Sequence, residues 1–313
     1  MIENFIIGHE NIIKSFDSII NKDRFSHAHI FLGESGIGKS LVAKALAIKL
    51  IGKTQFKDYV DIVEFKINEK KLSIGVNDIR LIIEEINKKP YETDKKVVII
   101  HDAHKMTTQA QNAFLKTIEE PAKNVSIFLL CENIENILDT IQSRCQIHKL
   151  KPLNREEMKR YLKYKYNDLQ DEELELLLSF SRGIPKNADK LKNDQIFNSK
   201  RDKFINMLLS IKDMNSEEIF NDDNVINTPV DWEDFFDISI SFIRDSIIYK
   251  EIGNNDLIIN KDKLEKVKQC ANIFSFHKLN DIITIINETR ENIDRNVNNA
   301  LVFNVMLLKI QEV

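Results

Sequence analysis

The run Gly33-Glu34-Ser35-Gly36-Ile37-Gly38-Lys39-Ser40 sets glycines, a lysine and a hydroxyl in the pattern G-x-x-x-x-G-K-[ST]. That spacing suits a phosphate. Backbone N–H groups from Ser35 through Gly36, Ile37 and Gly38 to Lys39 would curl around a β-phosphate at a helix N-terminus, where the dipole favours anions. Lys39 would reach the β- and γ-phosphates, and the Ser40 hydroxyl would face magnesium. A strand-like HIFL before the loop and a helical KSLVAKALAIKL after it supply the flanking elements such a loop needs. The loop alone separates neither ATP from GTP nor a motor from a passive binder.

A second stretch, VVIIHDAHKM at 97–106, complicates that reading. Val97 to Ile100 read as a buried strand. In a P-loop ATPase such a strand ends in an Asp that helps to hold magnesium, often followed by a Glu that positions water. Here the two places hold His101 and Asp102, a degenerate version of the site. Magnesium prefers hard oxygen ligands, so His101 is a poor replacement. Adjacent strand residues point to opposite faces, so Asp102 is misaimed for the metal unless the strand end is kinked. Asp102 therefore reads as the water-positioning residue with a shorter reach. His104 and Lys105 read as an exposed turn before a helix capped at Thr107 or Thr108, and no protein metal site is expected at His101 and His104.

Elements that position these residues follow from periodicity. Strands are predicted at 29–32, 61–65, 96–100, 125–131 and 145–150, with helices near 9–22, 39–51, 75–88, 107–119 and 134–143. Strands alternating with helices indicate βαβ units and a parallel sheet covered on both faces. Beyond residue 150 only helical spacing remains, at 154–166, 171–181, from about 186, and at 201–212, 231–251, 261–289 and 292–311. The expected organisation is an α/β P-loop domain over 1–150, a small helical domain over 151–200 and an all-helical domain over 201–313.

Composition narrows the class. The 313 residues are 42% hydrophobic and 30% charged, with only 8 Gly and 5 Pro, which fits a helix-rich globular chain. A net charge of −4 gives no global basic field for nucleic acid. Cys131, Cys145 and Cys270 form no CxxC pair, so neither a disulfide framework nor a four-cysteine zinc site is expected. The N-terminus lacks a signal-like apolar run and no stretch reaches the ~18 apolar residues of a membrane span, which points to a cytoplasmic protein.

Four segments occur in a telling order: RFSHAHIFLGESGIGKS (24–40), LSIGVNDIRLIIEEI (72–86), KMTTQAQNAFLKTIEEP (105–121) and TIQSRCQ (140–146). SRGIPKNADKL (181–191) and NVNNALVFNVMLLKI (296–310) continue the series. The series resembles the AAA+ clamp-loader family, in particular δ′ subunits of bacterial DNA polymerase III, whose relatives include γ/τ subunits and small subunits of eukaryotic clamp loaders. The resemblance implies an AAA+ core with a five-stranded parallel sheet, a helical lid and a C-terminal helical collar. It implies that Arg144, in Ser143-Arg144-Cys145, is an arginine finger reaching a neighbour's ATP site; as a residue, Arg144 equally suits a cation capping the end of a helix. Sensor 1 falls at Asn133, with Glu132 as the neighbouring alternative; Asn133 reads equally as a helix N-cap. Sensor 2 falls at Lys186, which keeps a charge and loses the guanidinium fork. A zinc module carried by some relatives has no counterpart in the cysteine-free segment 50–65.

What the resemblance implies about function is a non-motor subunit of a hetero-pentamer with γ/τ-type and δ subunits, serving a sliding clamp and primer-template DNA indirectly. ATP or ADP would be held weakly and with magnesium, intrinsic ATPase activity would be weak or absent, and zinc would be absent. Trp232, Phe235, Phe236, Ile238 and Phe242 would be shared between this chain's core and the collar. Lys70, Lys71 and Arg80 are candidate DNA contacts. The competing reading is an active γ/τ-type ATPase, against which His101 speaks. A stand-alone nucleotide kinase lacks an identifiable second-substrate site.

Overall fold

The computed structural model describes residues 6–21, 25–67, 71–213, 232–294 and 299–313. These fall into two compact units, one of residues 1–167 with 183–186 and one of residues 168–182 with 187–313.

In the first unit, β1 (Ala28–Leu32), β2 (Ile62–Phe65), β3 (Lys96–Ile100), β4 (Val125–Cys131) and β5 (Gln146–Lys149) form one sheet in the order β2-β3-β4-β1-β5. Each pairing is parallel; Leu32 of β1 lies opposite Cys131 of β4, and His29 opposite Gln146 of β5. KVVII of β3 and VSIFLLC of β4 are buried at every residue, as a sheet covered on both faces requires. Alternate strand residues feed opposite cores. Phe31, Val97 and Phe128 pack with α1 (Glu10–Asn21) and α2 (Lys39–Leu50). Ile30, Val98 and Leu129 pack with α3 (Val76–Ile86) and α4 (Thr108–Glu119). Lys22 and Arg24, and Lys70 among the candidate DNA contacts, lie outside the described residues.

One predicted helix is not continuous. The segment 134–143 divides into a 3₁₀ turn, Ile134–Asn136, and the short α5 (Asp139–Gln142). Polar side chains explain the break. The buried Gln111 donates from Nε2 to the carbonyls of Met106 (3.1 Å) and Asn136 (2.8 Å), and accepts from the Leu138 N–H (2.8 Å). Gln142 donates to the carbonyls of Ile134 and Ile137. After β5 the chain enters α6 (Arg155–Lys165), opened by a reciprocal Asn154–Glu157 cap. Gly183 has φ +79°, and a Cβ there would lie 2.3 Å from the Leu153 carbonyl oxygen, so only glycine fits.

The second unit is helical: α7 (Asp171–Ser181), most of α8 (Pro185–Asn193), α9 (Gln195–Ser210), α10 (Trp232–Ile252), α11 (Leu264–Ile273), α12 (Phe276–Asp294) and α13 (Asn299–Glu312). Helix α9 starts earlier than its apolar spacing predicts because the Asp194 carboxylate accepts the Phe197 N–H at 2.9 Å. The predicted helix over 261–289 is broken at Phe274, which is extended and buried, and restarts where the Ser275 hydroxyl accepts the Lys278 N–H. Phe235, Phe236, Ile238 and Phe242 are all buried in this unit's own interior rather than shared with an outer surface. The Trp232 side chain and residues 296–298 lie outside the described residues. On α13, Leu301 and Val305 stay exposed at helical spacing, 59% and 43%.

A buried ion pair ties this unit together. Arg201, 1% exposed, donates to both Asp262 oxygens at 2.7 Å and to Asn260 Oδ1 at 2.8 Å. Arg201→Ala leaves Asp262 and Asn260 without that partner, and a loss of about 3–5 kcal/mol in unfolding free energy is expected, to be read by urea denaturation; a change within error would remove the pair from the account.

Two imidazoles occupy the aromatic heart of the sheet. His29 Nε2–H donates to the Ser26 carbonyl at 2.8 Å, which leaves its Nδ1 to accept from His148 Nε2–H at 3.0 Å. Phe16, Phe31 and Phe128 surround the pair. Burial pushes the His29 pKa down to about 3 and that of His148 to about 4. The folded chain thus binds fewer protons than the unfolded chain below pH 6.5, and this stabilisation is lost as pH falls from there toward 4. His148→Phe should flatten the drop in melting temperature between pH 6.5 and 4.5 relative to wild type, by about 2–3 kcal/mol in stability. Parallel melting curves for the two proteins across that range would contradict it.

Candidate nucleotide-binding site

The phosphate loop lies between the C-terminal end of β1 and the start of α2, beside the end of β4. The Gly33 N–H donates to the Cys131 carbonyl at 3.1 Å, which fastens the loop to β4. Gly36 (φ +75°) and Gly38 (φ +106°) adopt left-handed conformations, and buried Ile37 anchors the loop between them. Gly38 caps α2 without any side-chain bond, so the cap residue gives the first-turn N–H groups no side-chain acceptor. The Ser35 and Ser40 side chains are exposed.

Lys39 is folded back onto its own loop. Its Nζ donates to the carbonyls of Gly33 (2.7 Å) and Glu34 (2.9 Å) and lies 3.5 Å from Glu132 Oε1. The side chain is 11% exposed. Burial lowers its pKa, and the charges of Glu132 and Asp102 oppose that shift.

The end of β3 answers the question raised by His101 and Asp102. The His101 ring donates from Nε2 to Glu64 Oε2 at 2.9 Å, and Glu64 also meets Lys44 and Lys66. Burial lowers the His101 pKa against the opposing pull of Glu64. Asp102 has φ +51°, so the chain does kink where the strand ends. The simple alternation of faces therefore does not extend past Ile100, and the Asp102 charge reaches both Lys39 and His104. His104 is half-buried rather than in an open turn: the 3₁₀ turn Ala103–Lys105 folds it back, and its Nδ1 accepts the Glu132 N–H at 3.3 Å.

Of the two sensor 1 candidates, Glu132 lies beside Lys39. Asn133 caps the following 3₁₀ turn, its Oδ1 accepting the Glu135 N–H at 2.9 Å. Lys186, at the start of α8, donates its backbone N–H to the Gly36 carbonyl at 3.4 Å, and a Cβ on Gly36 would come 2.2 Å from Lys186 Cβ. Lys186 thus lies against the phosphate loop. The convergence of Lys39, Asp102, His104 and Glu132 is not visible in local spacing. It follows from the sheet order, which sets the ends of β3 and β4 beside the crossover loop after β1.

Arg144 lies elsewhere on this unit. Its Nη2 pairs with Glu119 Oε1 at 2.7 Å, and Nη1 donates to the Thr140 carbonyl at 2.8 Å, while the side chain stays 39% exposed. It caps α5 and remains accessible at once. Among the DNA-contact candidates, Lys71 is held by Asp78 at 2.5 Å and Arg80 is exposed; Asp78 also accepts the Gly75 N–H.

Around Lys39 the hard oxygen donors are the Asp102 and Glu132 carboxylates, with the Ser40 hydroxyl exposed at the start of α2. The strand-end carboxylate is replaced by His101, already bound to Glu64, and among the described residues no group of three or more His, Cys, Asp or Glu side chains converges as a metal cage. Among the described residues no helix is long and apolar enough to cross a membrane.

Comparison with known proteins agrees with this architecture. The family model described as DNA polymerase III, delta subunit, matches residues 8–154, and that for the C-terminal part of the same subunit matches residues 195–312. The chain is 26% identical to DNA polymerase III subunit delta′ of Bacillus subtilis, over 96% of this chain and 95% of that one. It is 35% identical to subunit gamma/tau of Mycoplasma genitalium, over 45% of this chain and 26% of that longer protein. In fold it is similar to a gamma subunit-related protein of Thermotoga maritima, with TM-score 0.53, 19% identity and 95% and 98% of the two chains covered. With the P-loop sheet, the all-helical second unit and matches along most of its length, the chain belongs to the delta′ clamp-loader subunits of bacterial DNA polymerase III, in the AAA+ clamp-loader family.

Proposed function

We propose that this chain is a non-motor subunit of the clamp loader that supplies Arg144 in trans to the ATP site of a neighbouring subunit during sliding-clamp loading. One observation carries the reading: His101 stands where a metal-holding carboxylate is needed and its ring is committed to Glu64. The loop from Gly33 to Ser40 then holds ATP or ADP weakly, with magnesium liganded mainly by the nucleotide's own oxygens, and does not turn it over. Arg144 remains competent to act outward. Its pair with Glu119 is exposed on both sides, 39% and 45%, and exposed pairs contribute only about 0–1 kcal/mol, so phosphate can displace Glu119 at little cost.

Three domains serve this role in the proposal: a nucleotide domain over 1–150, a lid over 151–200 and a collar over 201–313. The exposed Leu301 and Val305 on α13 support a collar contact with γ/τ-type and δ subunits in a cytoplasmic hetero-pentamer. Sliding clamp and primer-template DNA are engaged through that assembly. The intact phosphate loop and the match to a gamma/tau subunit favour a second reading, an active γ/τ-type ATPase.

Reconstitution with γ/τ-type and δ subunits tests the proposal. Arg144→Ala should slow hydrolysis at the one site it serves by about 10³-fold or more, removing that site's share of steady-state turnover. Arg144→Lys should fail to restore it, because an ammonium lacks the planar fork. An unchanged rate in both variants would remove Arg144 from the chemistry.

A further inference from the structure

We propose that Glu132 is an internal anion that occupies the Lys39 ammonium in place of phosphate and sets the loop's affinity for nucleoside di- and triphosphates low. The inference rests on the reading that the Gly33–Ser40 loop takes nucleotide, and it adds the residue that controls how tightly.

An ammonium has three N–H donors. At Lys39 all three have acceptors: the Gly33 carbonyl at 2.7 Å, the Glu34 carbonyl at 2.9 Å and Glu132 Oε1 at 3.5 Å. A phosphoryl oxygen entering the loop has to displace one of them. The two carbonyls belong to the loop itself and are held at short range. Glu132 is the longest contact and its side chain is 35% exposed, so it is the partner free to swing out.

Displacement does not carry the charge away. The Glu132 backbone is held on the rim by its N–H bond to His104 Nδ1, at 3.3 Å. The freed carboxylate stays near the entering phosphates, and Asp102 adds a second negative charge whose field already reaches Lys39. Two carboxylates beside one lysine make an unfavourable setting for a polyphosphate. An amide at 132 would keep a hydrogen-bonding group and remove the competition.

Calorimetric titration of the full-length chain with Mg·ADP tests this, using wild type, Glu132→Gln, Lys39→Ala and the double variant, each checked for an unaltered melting temperature. Glu132→Gln should tighten binding about tenfold. In the Lys39→Ala background the same change should have little effect, because the two side chains act as one unit. Glu132→Ala should tighten binding in the same direction, which guards against a peculiarity of glutamine. Lys39-dependent binding of equal strength in wild type and Glu132→Gln would overturn the latch and leave the nucleotide-loop reading intact. Equal tightening with and without Lys39 would also overturn it, as a general charge effect. No binding by any variant at millimolar Mg·ADP would overturn both.

Discussion

A mostly buried ammonium must find negative partners, and at Lys39 that requirement organises the site. The side chain leaves the loop after β1, is 11% exposed, and meets two loop carbonyls and a carboxylate from the residue after β4. The sheet order makes this possible. Because β1 lies between β4 and β5, the loop after β1 opens beside the ends of β4 and β3, where Glu132, Asp102 and His104 stand. The same crevice that would receive phosphates thus already contains negative charge. On the proposed reading, nucleotide binding here would be an exchange of anions on one cation rather than the filling of a neutral pocket.

Arg144 repeats that logic at the surface. It too has a carboxylate of its own chain, Glu119, at hydrogen-bonding distance. The difference lies in burial. Lys39 is screened from water and its partners matter to its charge, whereas Arg144 and Glu119 both face solvent, where an ion pair is weak and readily exchanged. Gln111 and Gln142 hold the chain between Glu132 and Arg144 by bonding its carbonyls at Ile134, Asn136 and Ile137. A fixed backbone with exchangeable side chains suits a subunit whose own loop is passive and whose arginine serves elsewhere.

Much of this was legible in the residues. Short apolar runs locate all five strands, and Gly36 and Gly38 of the phosphate loop stand where left-handed backbone is required. Sequence could not show how strand ends turn. Asp102 departs from strand geometry in a single residue with φ +51°, and that turn decides which charges face Lys39. Likewise 134–143 has a helical pattern, yet Gln111, distant in sequence, bonds the groups a helix would need. Competition between a side chain and the backbone ladder is a tertiary fact. The apolar residues of α10 show the same limit: their spacing fits a partner face as well as a core, and only packing assigns Phe235, Phe236, Ile238 and Phe242 to the interior.

The central claim is that this chain's own loop does not hydrolyse nucleotide, and the most direct test is single-turnover conversion of labelled ATP by the isolated full-length protein in excess over nucleotide. ADP should form no faster with wild type than with Lys39→Ala or with buffer alone. Production of ADP that depends on Lys39 would contradict the claim and make the chain a motor subunit in its own right.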